Sequence, residues 1–274
     1  GAGHHPGTEP HGQRVRAALD WLAGQVASGT LFAIAYSTQA LVEAWEMCGE
    51  EEYRRAAERG VATMIGSRHP GAGWRYSPGV RMASGVPTTT AVVVALRAAE
   101  DAGLEVDGAY KDEVLRWLEG LIESKSGRVK YHVGAERLGY TPTTTNAASA
   151  LLIRVRLGAK ETNAKLLGAL AKRRPKWKIR FKRLKVKGVE REVQIGYLQH
   201  YYWWHGTDAL ARTGGSAWSA WNGALKKALL GKQRDSGHLE GSWDPVGTYG
   251  KVGGRVYSTA LCTLMLEAYY RVPR

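Results

Sequence analysis

The stretch QRDSGHLEGSW, residues 233–243, lies between two segments whose apolar residues recur with the period of an α-helix. It contains a glutamine, two glycines and a final tryptophan, Trp243. A tryptophan stabilises a fold most when its large apolar ring is buried, so an exposed connecting loop would have no use for it. The stretch is therefore a candidate structural joint between two helices, provided that the same arrangement recurs along the chain.

Three weaker copies of this arrangement precede it. Residues 62–74 (ATMIGSRHPGAGW) and 116–131 (RWLEGLIESKSGRVKY) also run from an apolar helical segment through a glycine turn to an aromatic residue. Residues 20–29 (DWLAGQVASG) share the helical segment and the turn. Helices rich in small residues recur as well, and five threonines align them. These threonines are Thr38, Thr89, Thr144, Thr207 and Thr259, at steps of 51, 55, 63 and 52 residues. Self-similarity at this period predicts a repeat architecture built from pairs of helices.

The periodicity predicts ten helices, at residues 13–27, 31–48, 50–66, 87–102, 109–124, 144–157, 161–173, 201–213, 216–231 and 256–271. Helices rich in Thr, Ser and Ala alternate with larger, more charged ones, which indicates an inner layer of tightly packed helices and an outer layer that faces water. The predicted fold is therefore all-α, an α/α toroid (a barrel of about five helix pairs). We expect a flexible tail over 1–12 and a single domain over 13–274.

A strongly basic insertion lies within the longest repeat step. The formal charge of the chain is +14, and removing the ten basic residues between positions 172 and 187 from that total leaves +4. These ten residues are Lys172, Arg173, Arg174, Lys176, Lys178, Arg180, Lys182, Arg183, Lys185 and Lys187. The alternation of apolar and basic residues predicts a small β-hairpin over 174–196 that turns near Gly188. Two uses stay open: contact with an anionic partner (nucleic acid or a membrane surface), and lysine protection of a solvated edge strand.

The Q…G-x-W pattern of residues 233–243 resembles the QW repeats of triterpene cyclases. Residues 71–79 (GAGWRYSPG), 201–215 (YYWWHGTDALARTGG) and 241–271 are similar to the bacterial branch of the prenyltransferase and squalene oxidase repeat family. The resemblance implies the terpenoid-cyclase-like α/α toroid that this family shares with protein prenyltransferase β-subunits. It also implies that Gln233 caps the start of a neighbouring helix while Trp243 stacks on it.

The catalytic motifs of the resembled enzymes are missing from the sequence. Class II cyclases use a D-x-D-D motif and protein prenyltransferases hold zinc with a D-x-C step, and neither motif occurs. The remaining catalytic candidates are Asp208 with His205, because a His–Asp pair three residues apart on a helix can tune an acid, and Asp244, which follows Trp243. The alternatives are structural: Asp208 in the first turn of a helix, and Asp244 opening a turn before a proline. We lean away from catalysis of these known kinds and leave another reaction open.

No metal and no cofactor is expected, because His132, His200 and His238 show no paired ligand spacing. Cys262 lies in the apolar run STALCTLM, which indicates a small buried residue. No apolar run approaches the ~20 residues of a membrane span. The compartment stays open.

The aromatic residues are the remaining functional signal. The chain has 10 Trp and 13 Tyr but 2 Phe, and an apolar ring with a polar tip suits the wall of a binding cavity. We therefore predict a non-catalytic binding module whose aromatic-lined centre accepts an apolar or isoprenoid-like ligand or a peptide. The candidate lining residues are Trp74, Tyr76, Tyr201, Trp203, His205, Trp243 and Tyr257. Two alternatives stay open: a terpene-cyclase- or prenyltransferase-like enzyme, and a binder of nucleic acid or an anionic surface through the hairpin.

Overall fold

The computed structural model describes residues 4–69, 73–77, 83–159, 164–178, 180–186, 189–195, 199–247 and 249–272. The helices within these residues are α1 (Gly12–Gln25), α2 (Leu31–Cys48), α3 (Glu51–Gly66), α4 (Val86–Asp101), α5 (Tyr110–Glu119), α6 (Thr144–Arg156), α7 (Ala164–Ala171), α8 (His200–Thr213), α9 (Gly215–Leu229), α10 (Gly250–Leu266) and α11 (Ala268–Arg271). The strands are β1 (Arg180–Val186) and β2 (Val189–Ile195). Short 3₁₀ turns lie at Ala135–Leu138, Leu230–Lys232 and Gly237–Leu239. None of the described helices is long and apolar enough to cross a membrane.

Each of the ten predicted helices is present, and most ends fall within a few residues of the prediction. α5 ends earlier, at Glu119, because the chain turns there and forms a short antiparallel bridge between Ile122 and Val129. α10 begins earlier, but Gly254 interrupts it with φ 68° and ψ −165°. A backbone with this positive φ favours glycine, so the regular part of α10 starts at Arg255, next to the predicted start.

The chain divides into two compact units. We call them the N-terminal unit (Gly1–Ser124 with Arg128–Thr162) and the C-terminal unit (Lys125–Gly127 with Asn163–Arg274). The N-terminal unit contains α1 to α6, and the C-terminal unit contains α7 to α11 with the hairpin. The flexible tail over 1–12 and the single domain over 13–274 stay predictions.

In the N-terminal unit the small-residue helices lie inside. α2 packs against α1, α3 and α4, and α4 also packs against α6. α4 is buried on most of its sides, as its consecutive buried residues Val92 and Val93 illustrate. Small residues allow the close approach of α2 and α3, because a Cβ added to Gly60 would lie 2.0 Å from Thr38 Oγ1. The threonine that aligns the first repeat therefore marks a helix contact.

In the C-terminal unit α8 packs against α9 and α10. α8 meets α9 most closely at Gly206, where an added Cβ would lie 2.5 Å from the ring of Trp221. Trp221 is buried and donates its indole N–H to Thr207 Oγ1 over 2.9 Å. Tyr202 packs edge-on against the same ring, with centroids 5.6 Å apart. A second aligning threonine thus also fixes a contact between an inner and an outer helix.

Trp74 and Trp243 form equivalent joints, one in each unit. The backbone N–H of Trp74 donates to Thr89 Oγ1 over 3.0 Å, and that of Trp243 donates to Thr259 Oγ1 over 3.2 Å. Both acceptors are aligning threonines near the start of the following inner helix. The repeat seen in the sequence is therefore a repeat of hydrogen bonding as well as of residue type.

The indole rings complete these joints. Trp74 Nε1 donates to the carbonyl of Met64 over 2.7 Å, and Trp243 Nε1 donates to the carbonyl of Leu229 over 3.0 Å. Both carbonyls lie in the last turn of an outer helix, where the regular i to i+4 hydrogen bonds of the helix end. The rings are buried, with exposed fractions of 0% and 2%. Each tryptophan therefore fastens the end of an outer helix to the start of the next inner helix.

In the N-terminal unit, a carbonyl two residues after a joint position closes the start of an inner helix. Leu31, the first residue of α2, donates its backbone N–H to the carbonyl of Tyr76 over 3.0 Å. Val86, the first residue of α4, donates to the carbonyl of Tyr131 over 2.9 Å. The first N–H groups of a helix have no intrahelical acceptor, so these carbonyls satisfy buried donors. Val129, two residues before Tyr131, takes the joint position that tryptophan takes elsewhere.

Gln233 closes its own loop. It forms an isolated antiparallel bridge with Trp243, and its Nε2 donates to the carbonyl of Gly241 over 2.9 Å. The resemblance implied a cap on a neighbouring helix, whereas the observed bond lies inside the 233–243 stretch. The two glycines have positive φ, 73° at Gly237 and 78° at Gly241, which lets this longer loop return to its start.

The predicted hairpin is present within the insertion. β1 and β2 are antiparallel, with Arg180 opposite Ile195 at one end and Val186 opposite Val189 at the other. The predicted turn near Gly188 lies outside the described residues, as does Lys187.

Thr89→Val and Thr259→Val test the joints. Each substitution removes the acceptor of a tryptophan N–H and keeps the shape of the side chain. We expect each to lower the free energy of unfolding by about 1–3 kcal/mol, the cost of leaving a buried donor without a partner. Urea denaturation followed by circular dichroism measures this. Thr63→Val is the control, because its exposed hydroxyl bonds only within α3, to the carbonyl of Arg59. Equally small effects at all three positions would contradict the account of the joint.

Gly206→Ala and Gly223→Ala test the contact between α8 and α9. Alanine at 206 would press into the Trp221 ring, so we expect a loss of about 1–3 kcal/mol of stability. Gly223 lies in α9 with no atom near its added Cβ. Alanine there should stabilise the helix by about 0.5–1 kcal/mol. Thermal unfolding distinguishes the expected loss of stability in Gly206→Ala from the expected gain in Gly223→Ala. A gain of stability in Gly206→Ala would show that α8 and α9 are not in close contact at this position.

Candidate functional site

The first turns of α8 carry the sequence HYYWWH, residues 200–205, in which every side chain is an aromatic ring. Residues three and four apart share one face of a helix, whereas consecutive residues lie on different faces. These six rings therefore divide into separate groups, each with its own surroundings. Tyr202 belongs to the contact with α9 described above.

The first group is half-open to solvent. Tyr201, Trp204 and His205 lie with Tyr249, the residue before α10, and we call these four residues the α8 aromatic cluster. The ring centroids are 4.1 Å apart for Tyr201 and His205, 5.1 Å for Trp204 and His205, and 6.4 Å for Tyr201 and Tyr249. His205 is 2% exposed and Tyr249 is 53% exposed. The cluster thus runs from a buried imidazole to a phenol ring at the surface.

His205 is the neutral end of this cluster. Burial lowers the pKa of His205 to about 3, although the charge of Asp208 acts in the opposite direction. Asp208 Oδ1 accepts a hydrogen bond from Arg212 Nε over 2.8 Å, one helical turn further on. A neutral imidazole offers one donor and one acceptor nitrogen. The predicted His–Asp spacing is therefore present, with the carboxylate held in an ion pair with Arg212.

The second group contains two buried residues, His200 and Trp203. His200 and Trp203 pack against Trp177, with centroid distances of 5.4 Å between His200 and Trp177, 5.7 Å between His200 and Trp203, and 6.3 Å between Trp177 and Trp203. Burial lowers the pKa of His200 to about 4. Among the described residues, His200 Nε2 and Trp203 Nε1 have no hydrogen-bond partner. Trp203, a predicted lining residue, therefore takes part in ring packing inside the unit.

The other predicted lining residues have different surroundings. Trp74 and Trp243 are buried, and both donor groups of each are already used in the joints. Tyr76 is exposed and contacts Phe32, with centroids 5.7 Å apart. Tyr257 lies on α10, where burial raises the pKa of its hydroxyl. The structure thus brings Tyr201 and His205 together, and a single cavity lined by all seven residues stays a prediction.

An aromatic group in the N-terminal unit was not predicted from the sequence. Tyr131 stacks on Tyr140 with centroids 5.7 Å apart, and His132 lies edge-on to Tyr140 at 6.3 Å. Tyr131 is the counterpart of Tyr76, because each follows a joint position by two residues and each carbonyl closes the start of an inner helix. The recurrence of this spacing was the signal in the sequence that could have found it.

Asp244, the second catalytic candidate, is held by two arginines. Its Oδ2 accepts from Arg234 Nη2 over 2.8 Å, and its Oδ1 accepts from Arg255 Nη2 over 2.7 Å. These hydrogen bonds lower the pKa of Asp244, so its carboxyl group keeps its charge. A charged carboxylate cannot donate a proton, and Asp244 acts in this loop as the acceptor that ties Arg234 to Arg255.

The candidates for metal and thiol chemistry are few. No group of three His, Cys, Asp or Glu residues in the described part of the chain could hold a metal ion. Cys262 is buried, as expected, and burial raises the pKa of its thiol to about 12. A thiol of this kind stays protonated and packs as a small apolar group.

The basic residues before β1 lie mostly at the surface. Lys172, Arg174, Lys176 and Lys178 are exposed. Arg173 is half-buried, with its guanidinium 6.0 Å from the ring centroid of Tyr202. The contact of these residues with an anionic partner stays a prediction at this point.

In fold, the chain is similar to the crystal structure of a family 76 glycoside hydrolase from a bovine Bacteroides thetaiotaomicron strain, with a TM-score of 0.55 and 14% sequence identity. The match covers 88% of this chain but 56% of that chain, so this chain spans little more than half the length of the hydrolase. Identity this low shows the fold alone, and it confirms the predicted class: an all-α fold of the α/α-toroid type with a hairpin insertion. It does not single out the prenyltransferase and squalene oxidase repeat family. No family model matches the chain, and no curated protein matches it either.

Acid should destabilise the fold through its buried histidines. His200 and His205 have folded pKa values of about 4 and about 3, below the unfolded value of 6.5. The unfolded chain therefore binds more protons, and stability is lost as the pH falls below the unfolded value toward the folded ones. Each histidine should cost about 2 kcal/mol at pH 5 relative to neutral pH.

Urea denaturation at neutral pH and at about pH 5 checks this for the native chain, His205→Gln and His238→Gln. We expect the acid loss to shrink by about 2 kcal/mol in His205→Gln only, because His238 is exposed. Imidazole ¹⁵N shifts of the native chain at the lower pH provide a check that needs no variant. A protonated His205 at that pH would contradict the account.

Proposed function

We propose that this chain is a binding module that holds a carbohydrate on the α8 aromatic cluster, without catalysing a reaction. The observation that carries the proposal is the arrangement of that cluster. Tyr201, Trp204 and His205 lie in mutual ring contact, and Tyr249, which lies against Tyr201, keeps more than half of its surface exposed. An aromatic group that is anchored by burial at one end and open at the other is pre-organised for stacking.

The chemistry of the exposed rings favours a carbohydrate. Three of the most apolar rings, those of Trp74, Trp203 and Trp243, are buried in the interior of the fold. The α8 aromatic cluster instead combines two phenols, an indole and a neutral imidazole, so each ring face has a polar group at its edge. A sugar ring has the matching character, with an apolar C–H face and a rim of hydroxyls. The glycoside hydrolase that this chain resembles in fold acts on glycosides, and its name supports the same ligand class.

The surroundings of the two acidic candidates support binding without catalysis. Hydrolysis of a glycoside uses two carboxyl groups on opposite sides of the bond, one of which donates a proton. Asp208 is paired with Arg212, and Asp244 is paired with Arg234 and Arg255. Neither carboxyl group is arranged as a proton donor, so the proposal assigns both a structural role.

A second candidate is the apolar or isoprenoid-like ligand, or peptide, expected from the sequence. Its support is the resemblance of residues 241–271 to the prenyltransferase and squalene oxidase repeat proteins, from which membership of that family is inferred. The recurring joint residues Trp74 and Trp243 agree with that inference. A cyclase- or prenyltransferase-like reaction at Asp208 or Asp244 is the catalytic form of this candidate.

Glycan-array binding followed by calorimetry tests the two ligand classes. The array presents neutral and acidic oligosaccharides, and farnesol and geranylgeraniol are titrated in parallel. We expect binding to at least one oligosaccharide class and none to the isoprenoid alcohols. Tyr249→Ala should weaken the oligosaccharide about 2- to 12-fold, the range expected from the loss of one aromatic contact.

Tyr270→Ala is the matched control, because Tyr270 is 83% exposed and lies on α11, outside the cluster. This variant should bind as the native chain does. Binding to farnesol or geranylgeraniol in place of any glycan would favour the second candidate. Equal losses in Tyr249→Ala and Tyr270→Ala would remove the site from the α8 aromatic cluster.

A further inference from the structure

The register of the hairpin divides its residues between two faces of different character. Residues directly opposite each other in an antiparallel pair share a face, and every second residue along a strand returns to it. One face therefore contains the pairs Arg180–Ile195, Lys182–Val193, Leu184–Arg191 and Val186–Val189. We call these eight residues the apolar–basic face. It has five aliphatic residues and three basic ones, and no acidic residue.

The opposite face has no excess of positive charge. It contains the pairs Phe181–Gln194, Arg183–Glu192 and Lys185–Glu190, which we call the paired-charge face. In the register, two basic residues stand opposite two acidic ones, so the formal charges of this face balance. The basic character of the insertion is therefore concentrated on one face of the hairpin, a difference that composition alone does not show.

The surroundings of the hairpin add a second observation. Among the described elements, β1 and β2 make extensive contacts only with each other. Val189, on the apolar–basic face, is 57% exposed. The segment that leads into β1 carries Lys172, Arg174, Lys176 and Lys178 at the surface. Positive charge and aliphatic residues thus occur together on an element that no described helix covers.

We propose that the apolar–basic face of the hairpin docks on an anionic lipid bilayer. A bilayer surface offers both complements at once, since its acyl boundary accepts aliphatic side chains and its anionic headgroups attract the basic ones. The basic residues before β1 add to the attraction at the same surface. This site is separate from the α8 aromatic cluster. It would hold the protein at a membrane surface and would not bind the ligand of that cluster.

The composition of the face favours a bilayer over a nucleic acid. Proteins that hold single strands stack bases on aromatic side chains, and those that hold duplexes gain mainly from phosphate contacts. The one aromatic residue of the two strands, Phe181, lies on the paired-charge face. Five aliphatic residues would gain nothing from a phosphate backbone, whereas they would leave water on entering the bilayer boundary.

Vesicle co-sedimentation tests the proposal with the full chain. The probes are phosphatidylglycerol–phosphatidylcholine vesicles, pure phosphatidylcholine vesicles, duplex DNA and single-stranded RNA, each at low and high salt. Arg180→Gln with Lys182→Gln removes two charges from the apolar–basic face. Arg183→Gln with Lys185→Gln removes two charges from the paired-charge face, so the two double variants have the same net charge. Leu184→Ser with Val193→Ser removes aliphatic groups without changing the charge.

We expect salt-sensitive binding to the anionic vesicles and little to phosphatidylcholine. The variant at 180 and 182 should lose about 10- to 30-fold in partitioning, and the variant at 184 and 193 should lose at least about 5-fold. The variant at 183 and 185 should lose less than about 3-fold. Circular dichroism and thermal unfolding verify that the helices of each variant stay folded.

Three results would overturn the proposal. Equal losses in the two charge variants would show attraction by net charge alone. Absence of binding to anionic vesicles would show that the basic residues only protect a strand edge. Nucleic-acid binding that is unaffected by the changes at 184 and 193 would assign the hairpin to a different partner. Glycan binding by the same variants should be unchanged, so the outcome here is independent of the function proposed above.

Discussion

The pair of hydrogen bonds made by each joint tryptophan is the interaction on which the rest of the fold depends. The backbone N–H reaches an aligning threonine in the next inner helix, and the indole N–H reaches a carbonyl at the end of the preceding outer helix. One residue thereby connects the last turn of an outer helix to the next inner helix through two hydrogen bonds. A glycine turn precedes each joint tryptophan, and Tyr76 or Pro245 follows it by two residues. These residues let the chain turn between the outer helix and the inner helix.

The same constraint decides which aromatic residues can act on a ligand. Trp74 and Trp243 are the most distinctive residues of the sequence, yet both donor groups of each are used within the fold. The proposed binding site is instead the more polar α8 aromatic cluster, in which His205 is buried and Tyr249 is exposed. In the function proposed above, the phenol and imidazole groups of this cluster favour a ligand with hydroxyl groups over an apolar chain.

Much of this could be predicted from the sequence because it depends on local periodicity. The ten helices, the inner position of the Thr- and Ala-rich segments and the hairpin all follow from patterns of period 3.6 or 2 and from their repetition. The hydrogen bond of the Gln233 side chain could not be predicted, because the path of one loop decides which carbonyl, that of Gly241, lies close enough to accept it. The contacts of Trp177 and Tyr249 with α8 could not be predicted, because both residues are distant from the first turns of α8 in sequence and meet them only in the folded chain. The two faces of the hairpin required the register of the strands, which composition does not fix.

Hydrogen exchange at the indole N–H groups tests the central claim most directly. Nuclear magnetic resonance resolves the Nε1–H signals of individual tryptophans, and Trp21, which is 65% exposed, provides a comparison within the same sample. If the joints hold the fold together, the indole protons of Trp74 and Trp243 should exchange only on global unfolding, and that of Trp21 within the first measurement. Exchange of Trp74 or Trp243 as rapid as that of Trp21 would show that these rings are not structural joints and would contradict the account.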